Sequence, residues 1–164
     1  MQERIQISDR YFSPSCGELS FDECVDGLLG YIARSPEQVY RIIIGTDSQP
    51  QGVTHDFVSA IVVHKVGHGG IYFWTRSRVS RRMSLKERMY EEALRSLIVA
   101  HRLLDGLKIR NMLQFELEIH VDVGQKGDTR EVLQEVVGMI RGSGFQVRTK
   151  PDAFGASSVA DRHA

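Results

Sequence analysis

The chain has 164 residues, 41% hydrophobic and 26% charged, with 21 basic against 21 acidic side chains and a formal net charge of zero. That composition is ordinary for one globular domain and excludes a disordered or fibrous chain. The neutral balance also excludes a global field that would gather polyanions, so any nucleic-acid contact must be local.

The opening stretch, residues 1–12, lacks the basic-then-apolar order of a signal peptide, and no apolar run approaches the roughly 20 residues that span a bilayer. A cytoplasmic protein without membrane contact is expected. Cys16 and Cys24 are too few for a disulfide framework and lack the spacing partners of a zinc site, so they read as reduced thiols.

Ser20 and Glu23 have capping-box spacing, and Phe21, Val25, Leu28, Leu29 and Ile32 follow at helical spacing up to a stop at Ser35-Pro36. This helix lies in an N-terminal extension of about residues 1–38, packed on a single domain that occupies 1–164. Tyr40 to Thr46 holds an Ile-Ile-Ile run, too short for a helix and apolar on both faces, which predicts a buried strand ending at Asp47. Pro50-Gln51-Gly52 breaks the chain. Two strands follow, about His55–Lys65 and Ile71–Ser77, joined by a glycine-rich turn as an antiparallel hairpin.

Ser84 and Glu87 offer a second capping box, and Met89, Ala93, Leu97, Ala100 and Leu104 trace one helical stripe as far as Gly106. Phe115 to Val123 alternates strictly, with Glu116, Glu118, His120 and Asp122 on a polar face. Asp128 can cap a helix to about Ile140, Phe145–Thr149 is a short strand, and Ala156 to His163 begins a last helix. No internal repeat or linker divides the chain. The order predicts an α/β fold: one mixed sheet flanked by helices, with an antiparallel edge on parallel strands.

Ligands in such sheets sit beyond the carboxyl ends of the parallel strands. Parallel pairing of the strands before Asp47 and Asp122 would bring both carboxylates to that edge. Neighbouring carboxylates repel, and a hard divalent cation, Mg²⁺ or Mn²⁺, is the usual remedy. Either Asp alone is more economically a turn former. On the long helix Glu91 points almost directly away from the apolar stripe, Glu92 flanks it, and Glu87 flanks the opposite side. Glu92 is therefore chosen as the helix carboxylate, with Glu91 in reserve. Asp161, after the small residues of the terminal helix, is the natural fourth acid, with Asp152 explained as a turn residue. His120, on the strand face of Asp122, and His163, two after Asp161, are secondary candidates.

Arg76, Arg78, Arg81 and Arg82, continuing through Lys86 and Arg88, form the one local basic stretch, readable as a nucleic-acid contact or as a solvated loop. Tyr72 and Trp74 lie just before it.

An acid at the end of the first long strand, then a hairpin, a helix glutamate, an acid after the next strand and one on the last helix together resemble the ribonuclease H-like pattern. Ile44-Gly45-Thr46-Asp47-Ser48-Gln49 and Ala156-Ser157-Ser158-Val159-Ala160-Asp161-Arg162-His163 are similar, more closely, to the YkuK-type family of bacterial ribonuclease H-like domains. The resemblance covers residues 10–164. It implies a five-stranded sheet in the order 3-2-1-4-5. It also implies a site of Asp47, Glu92, Asp122 and Asp161 around two Mg²⁺ or Mn²⁺ ions, and hydrolysis of phosphodiester bonds in nucleic acid. A non-catalytic nucleic-acid or protein binding module, and an enzyme acting on a small phosphoester, are the alternatives to a nuclease.

Overall fold

The computed structural model describes residues 4–122, 129–149 and 163. In chain order it has β1 (Tyr11–Ser13), β2 (Gly17–Leu19), α1 (Phe21–Ala33), β3 (Tyr40–Gln51), β4 (Thr54–Lys65), β5 (Gly70–Val79), α2 (Leu85–Ile109), β6 (Leu117–Val121), α3 (Arg130–Gly142) and β7 (Gln146–Thr149). The strands make one sheet in the order β2-β1-β5-β4-β3-β6-β7. Its last five strands are the expected 3-2-1-4-5 arrangement: β3 is parallel to β6 and β6 to β7, whereas β4 runs antiparallel to both β3 and β5. The sheet has seven strands rather than five. The N-terminal segment contributes a hairpin, β1–β2, which reaches β5 through Phe12 opposite Trp74. Three-residue strands offer too little alternation to stand out from turns in a sequence.

Both capping boxes form, Ser20 with Glu23 and Ser84 with Glu87. On the sheet face that α1, α2 and α3 cover, Ile42, Ile44, Ile61, Val63, Phe73, Leu117 and Ile119 join a single apolar core with Val25, Leu28, Leu103 and Val136 from the helices. The opposite face carries the small cluster of Val58 and Ala60 against Trp74.

Several boundaries differ from the sequence reading. Strand β3 does not stop at Asp47 but pairs with β4 through Gln51, opposite Thr54, and Gly52 takes a φ of 65° in the two-residue turn. Pro50 is tolerated there because β6 ends at Val121, so that among the described residues no strand on that flank of β3 needs its N–H. Helix α2 runs through Gly106 to Ile109, and Asn111 with φ 55° supplies the left-handed exit that Gly106 was taken to mark. Gly106 is the crossing point of α1 on α2: a Cβ there would lie 3.1 Å from Val25 Cγ2. Helix α3 starts after Thr129, which makes no side-chain cap, while Asp128 lies outside the described residues. No helix among the described residues is long and apolar enough to cross a membrane. Cys16 is exposed and Cys24 buried, both as free thiols.

Candidate functional site

Gly45 on β3 is in parallel register with His120 on β6. Two residues further along each strand, the same register sets Asp47 beside Asp122, on the sheet face opposite the helices. Helix α2 begins on the other face and leans over this strand end. The result is a cleft of about 280 Å³ lined by Asp47, Ser48, Glu92 and Asp122, with Arg88 and Thr129 at its margin.

The odd-numbered positions of β3 turn Asp47 away from α2, and Ser48 therefore turns towards it. Ser48 is buried, and its Oγ donates to Glu92 Oε1 at 2.5 Å. One turn deeper, Ser96 donates to Thr46 Oγ1 at 2.9 Å, and Thr46 shares a 2.8 Å hydrogen bond with Ser59 Oγ. These hydroxyls bind α2 to β3 and fix the height at which Glu92 meets the strand end. Glu92 is pushed up to about 7, chiefly by burial; the Ser48 hydrogen bond opposes the shift, Asp47 adds to it, Arg88 opposes it and Asp122 adds to it. The site thus holds a carboxylate that resists ionising beside two others.

Asp47, Glu92 and Asp122 therefore meet at one cleft. Asp161 lies outside the described residues. The reserve, Glu91, does not line the cleft, and although it points away from the apolar stripe it is not at the surface. It is buried, with Arg95 at 3.0 Å and Arg81 at 2.8 Å on its two oxygens, and Arg95 lies over the Phe57 ring at 4.5 Å. An arginine one turn on draws the glutamate into the interior, which an apolar stripe cannot reveal.

His120 shares the sheet face of Asp122 and is fully buried; its Nδ1 has no hydrogen-bond partner among the described residues. Burial holds its pKa below the usual value, while Glu118, 3.4 Å from Nε2, pulls the other way. The polar face expected for β6 is thus an interior one. Glu118 accepts from Arg41 at 2.8 and 2.6 Å and from Arg148 at 2.8 Å, clamping β3, β6 and β7 together. The Arg41 hydrogen bond leads in holding Glu118 down at about 2, well below the ordinary 4.5. Its stabilisation is therefore complete above pH 4.5 and is lost as pH falls towards 2. Glu118→Gln is expected to cost about 1–2 kcal/mol at pH 7, with the gap to wild type closing between pH 4.5 and 2 in urea melts.

His163 is engaged away from the cleft. It stacks on Trp74 at 4.4 Å with 12° between the rings, and its Nε2 meets Tyr72 Oη at 3.2 Å. The expected nucleic-acid patch is largely occupied within the fold. Arg76 donates to the His163 carbonyl and lies over Trp74, Arg78 pairs bidentately with buried Asp56, and Arg81 pairs with Glu91. Arg76 and Arg78 belong to β5 rather than to a solvated loop. Arg82 is exposed.

Sequence reasoning missed Ser48 and Thr129. A Ser next to a strand Asp carries a usable signal, since alternation turns it towards whatever helix packs on the other face. Thr129 has none. Among the described residues, no three His, Cys, Asp or Glu side chains stand close enough together to hold a metal ion as they are.

A mixed sheet of this order with acids at the ends of its parallel strands defines the ribonuclease H-like class. The chain belongs to that family: the family model "Ribonuclease H-like" matches residues 23–164. It is of the YkuK type. It is 29% identical over 163 residues to the uncharacterized protein YkuK of Bacillus subtilis (strain 168), a match covering 93% of this chain and 95% of that protein. No solved structure matches.

Proposed function

We propose that the protein is a divalent-metal-dependent nuclease, acting on phosphodiester bonds at the cleft between β3, β6 and the start of α2. The observation that carries the reading is the junction of Asp47, Asp122 and Glu92, with the Glu92 pKa raised to about 7. Asp47 and Asp122 both add to the burial that opposes ionisation of Glu92, and a cation drawn in among them would relieve that cost.

The donor set fits Mg²⁺ or Mn²⁺, two ions by the family pattern: its donors are hard oxygens, carboxylates with a hydroxyl beside them, and among the described residues no thiol or imidazole lines the cleft. Asp47, Glu92 and Asp122 would hold the metal, with Asp161 proposed as the fourth ligand. Bound there, a divalent ion supplies an activated water and a counter-charge for the departing oxygen. The chain's own contributions are separable from it. Ser48 fixes the rotamer of Glu92, the Thr46–Ser96–Ser59 hydroxyls hold α2 at its height over β3, and Arg88 offers a positive charge at the rim for a phosphate oxygen.

A non-catalytic module that grips bases on Trp74 is disfavoured, because Phe12 stacks on that ring at 4.8 Å and His163 at 4.4 Å. Calorimetric titration of Mn²⁺ into wild type and Asp47→Asn, followed by cleavage of labelled single-stranded, duplex and hybrid substrates, tests the proposal. The expected result is at least a tenfold loss of Mn²⁺ affinity in the variant with a parallel loss of cleavage. Wild type that takes up no Mn²⁺ would remove the nuclease reading.

A further inference from the structure

Three of the six residues of the basic stretch singled out in the sequence, Arg76, Arg78 and Arg81, are engaged in internal contacts, which leaves open where else a polyanion would lie. A second cavity, about 380 Å³, runs between α3 and the edge strand β7. Its floor is Leu133, Val137 and Val147, and Arg130 and Arg141 stand at its two ends. Both arginines are exposed, and neither makes an ion pair or side-chain hydrogen bond among the described residues. Eleven positions apart on one helix, they are separated by about 16 Å along its axis and by only about 20° around it, so they face the same way. The helix acids do not share that face, Glu131 and Glu135 being turned roughly 100–140° from Arg130.

The groove also adjoins the carboxylate cleft. Thr129 lines the cleft and Arg130, the next residue, lines the groove. A chain with phosphates at regular intervals and flat apolar bases matches what the groove offers: two cations about 16 Å apart with aliphatic surface between them. We infer that the α3–β7 groove is a binding track for a single-stranded nucleic acid, Arg130 and Arg141 contacting its phosphates on the way to or from the Asp47–Asp122–Glu92 cleft. The choice of ligand rests on the phosphodiester reading above; the site itself rests on the groove.

The test is fluorescence anisotropy with labelled single-stranded 20-mers, one DNA and one RNA, in EDTA so that metal occupancy plays no part. The Arg130→Ala/Arg141→Ala double variant is expected to lose about tenfold in affinity. Its log–log salt slope should flatten by about 1.4, the change for two lost phosphate contacts on a single strand. Arg34→Ala, an exposed arginine at the end of α1 and outside the groove, is the control and should shift affinity less than twofold. The inference is overturned if wild type binds neither oligomer, if the double variant binds as wild type does, or if Arg34→Ala weakens binding as much. Failure of the Mn²⁺ titration alongside a groove-dependent anisotropy change would sink the nuclease reading and leave the track standing, and the preference between the two oligomers identifies the nucleic acid.

Discussion

Glu92→Gln is expected to make the metal-free protein more stable at pH 8 while abolishing its response to Mn²⁺. The reason lies in the sign of the shift. Glu92 has a folded pKa of about 7 against an ordinary 4.5. Below pH 4.5 the group is protonated both folded and unfolded and costs nothing; as pH rises through 7 the fold must carry a charge it disfavours, and stability is lost. Glutamine keeps the shape and still accepts from Ser48, but never ionises. At pH 8 the variant should therefore gain about 2 kcal/mol, or roughly 5 °C in melting midpoint, and the gain should vanish at pH 4. With millimolar Mn²⁺ the order reverses, because only wild type gains from binding, and cleavage should fall at least a hundredfold. Thermal melts at three pH values, with and without Mn²⁺, decide the matter; a variant less stable than wild type at pH 8 without metal would mean that Glu92 is a structural acid.

The neighbouring glutamate should behave in the opposite way. Glu91→Gln leaves Arg95, only 3% exposed, with its charge buried and uncompensated, and releases Arg81 from the start of α2. Breaking one partner of a buried pair costs about 3–5 kcal/mol, so the melting midpoint should fall by about 10 °C. Replacing both members, as Glu91→Gln with Arg95→Met, should recover a large part of the loss, because an apolar side chain over Phe57 demands no counter-charge. Mn²⁺ affinity, once measured on the folded fraction, should be unchanged in Glu91→Gln. A small effect on stability together with lost metal binding would exchange the roles of the two glutamates.

That exchange was the main ambiguity of the sequence, and its source is physical. Helical periodicity ranks side chains by angle to an apolar stripe, and by that measure Glu91 points to solvent. It is buried because Arg95 one turn later and Arg81 from the preceding loop neutralise it, a pairing that a pattern of apolar residues does not encode. Helices α1 and α2 were legible from complete capping boxes and α3 from its apolar spacing, while β3 showed itself by a continuous isoleucine run and β6 by strict alternation. The β1–β2 hairpin is too short to show a period, and Gly106 was read as a stop because a glycine kept for the close approach of Val25 looks the same in sequence as one kept for a turn. Asp47 was placed at the correct depth for a less exact reason. The feature that sets it is the end of β6, not the end of β3, whose hairpin with β4 continues four residues beyond it.

Trp74 is the only tryptophan in the chain, and its ring is enclosed by Phe12 on β1 and by His163. Two segments from opposite ends of the sequence therefore close on one chromophore. Its emission is an internal gauge of whether both are docked, and it needs no introduced label. Phe12→Leu and His163→Leu therefore read the two contacts separately, each by its own change in Trp74 emission.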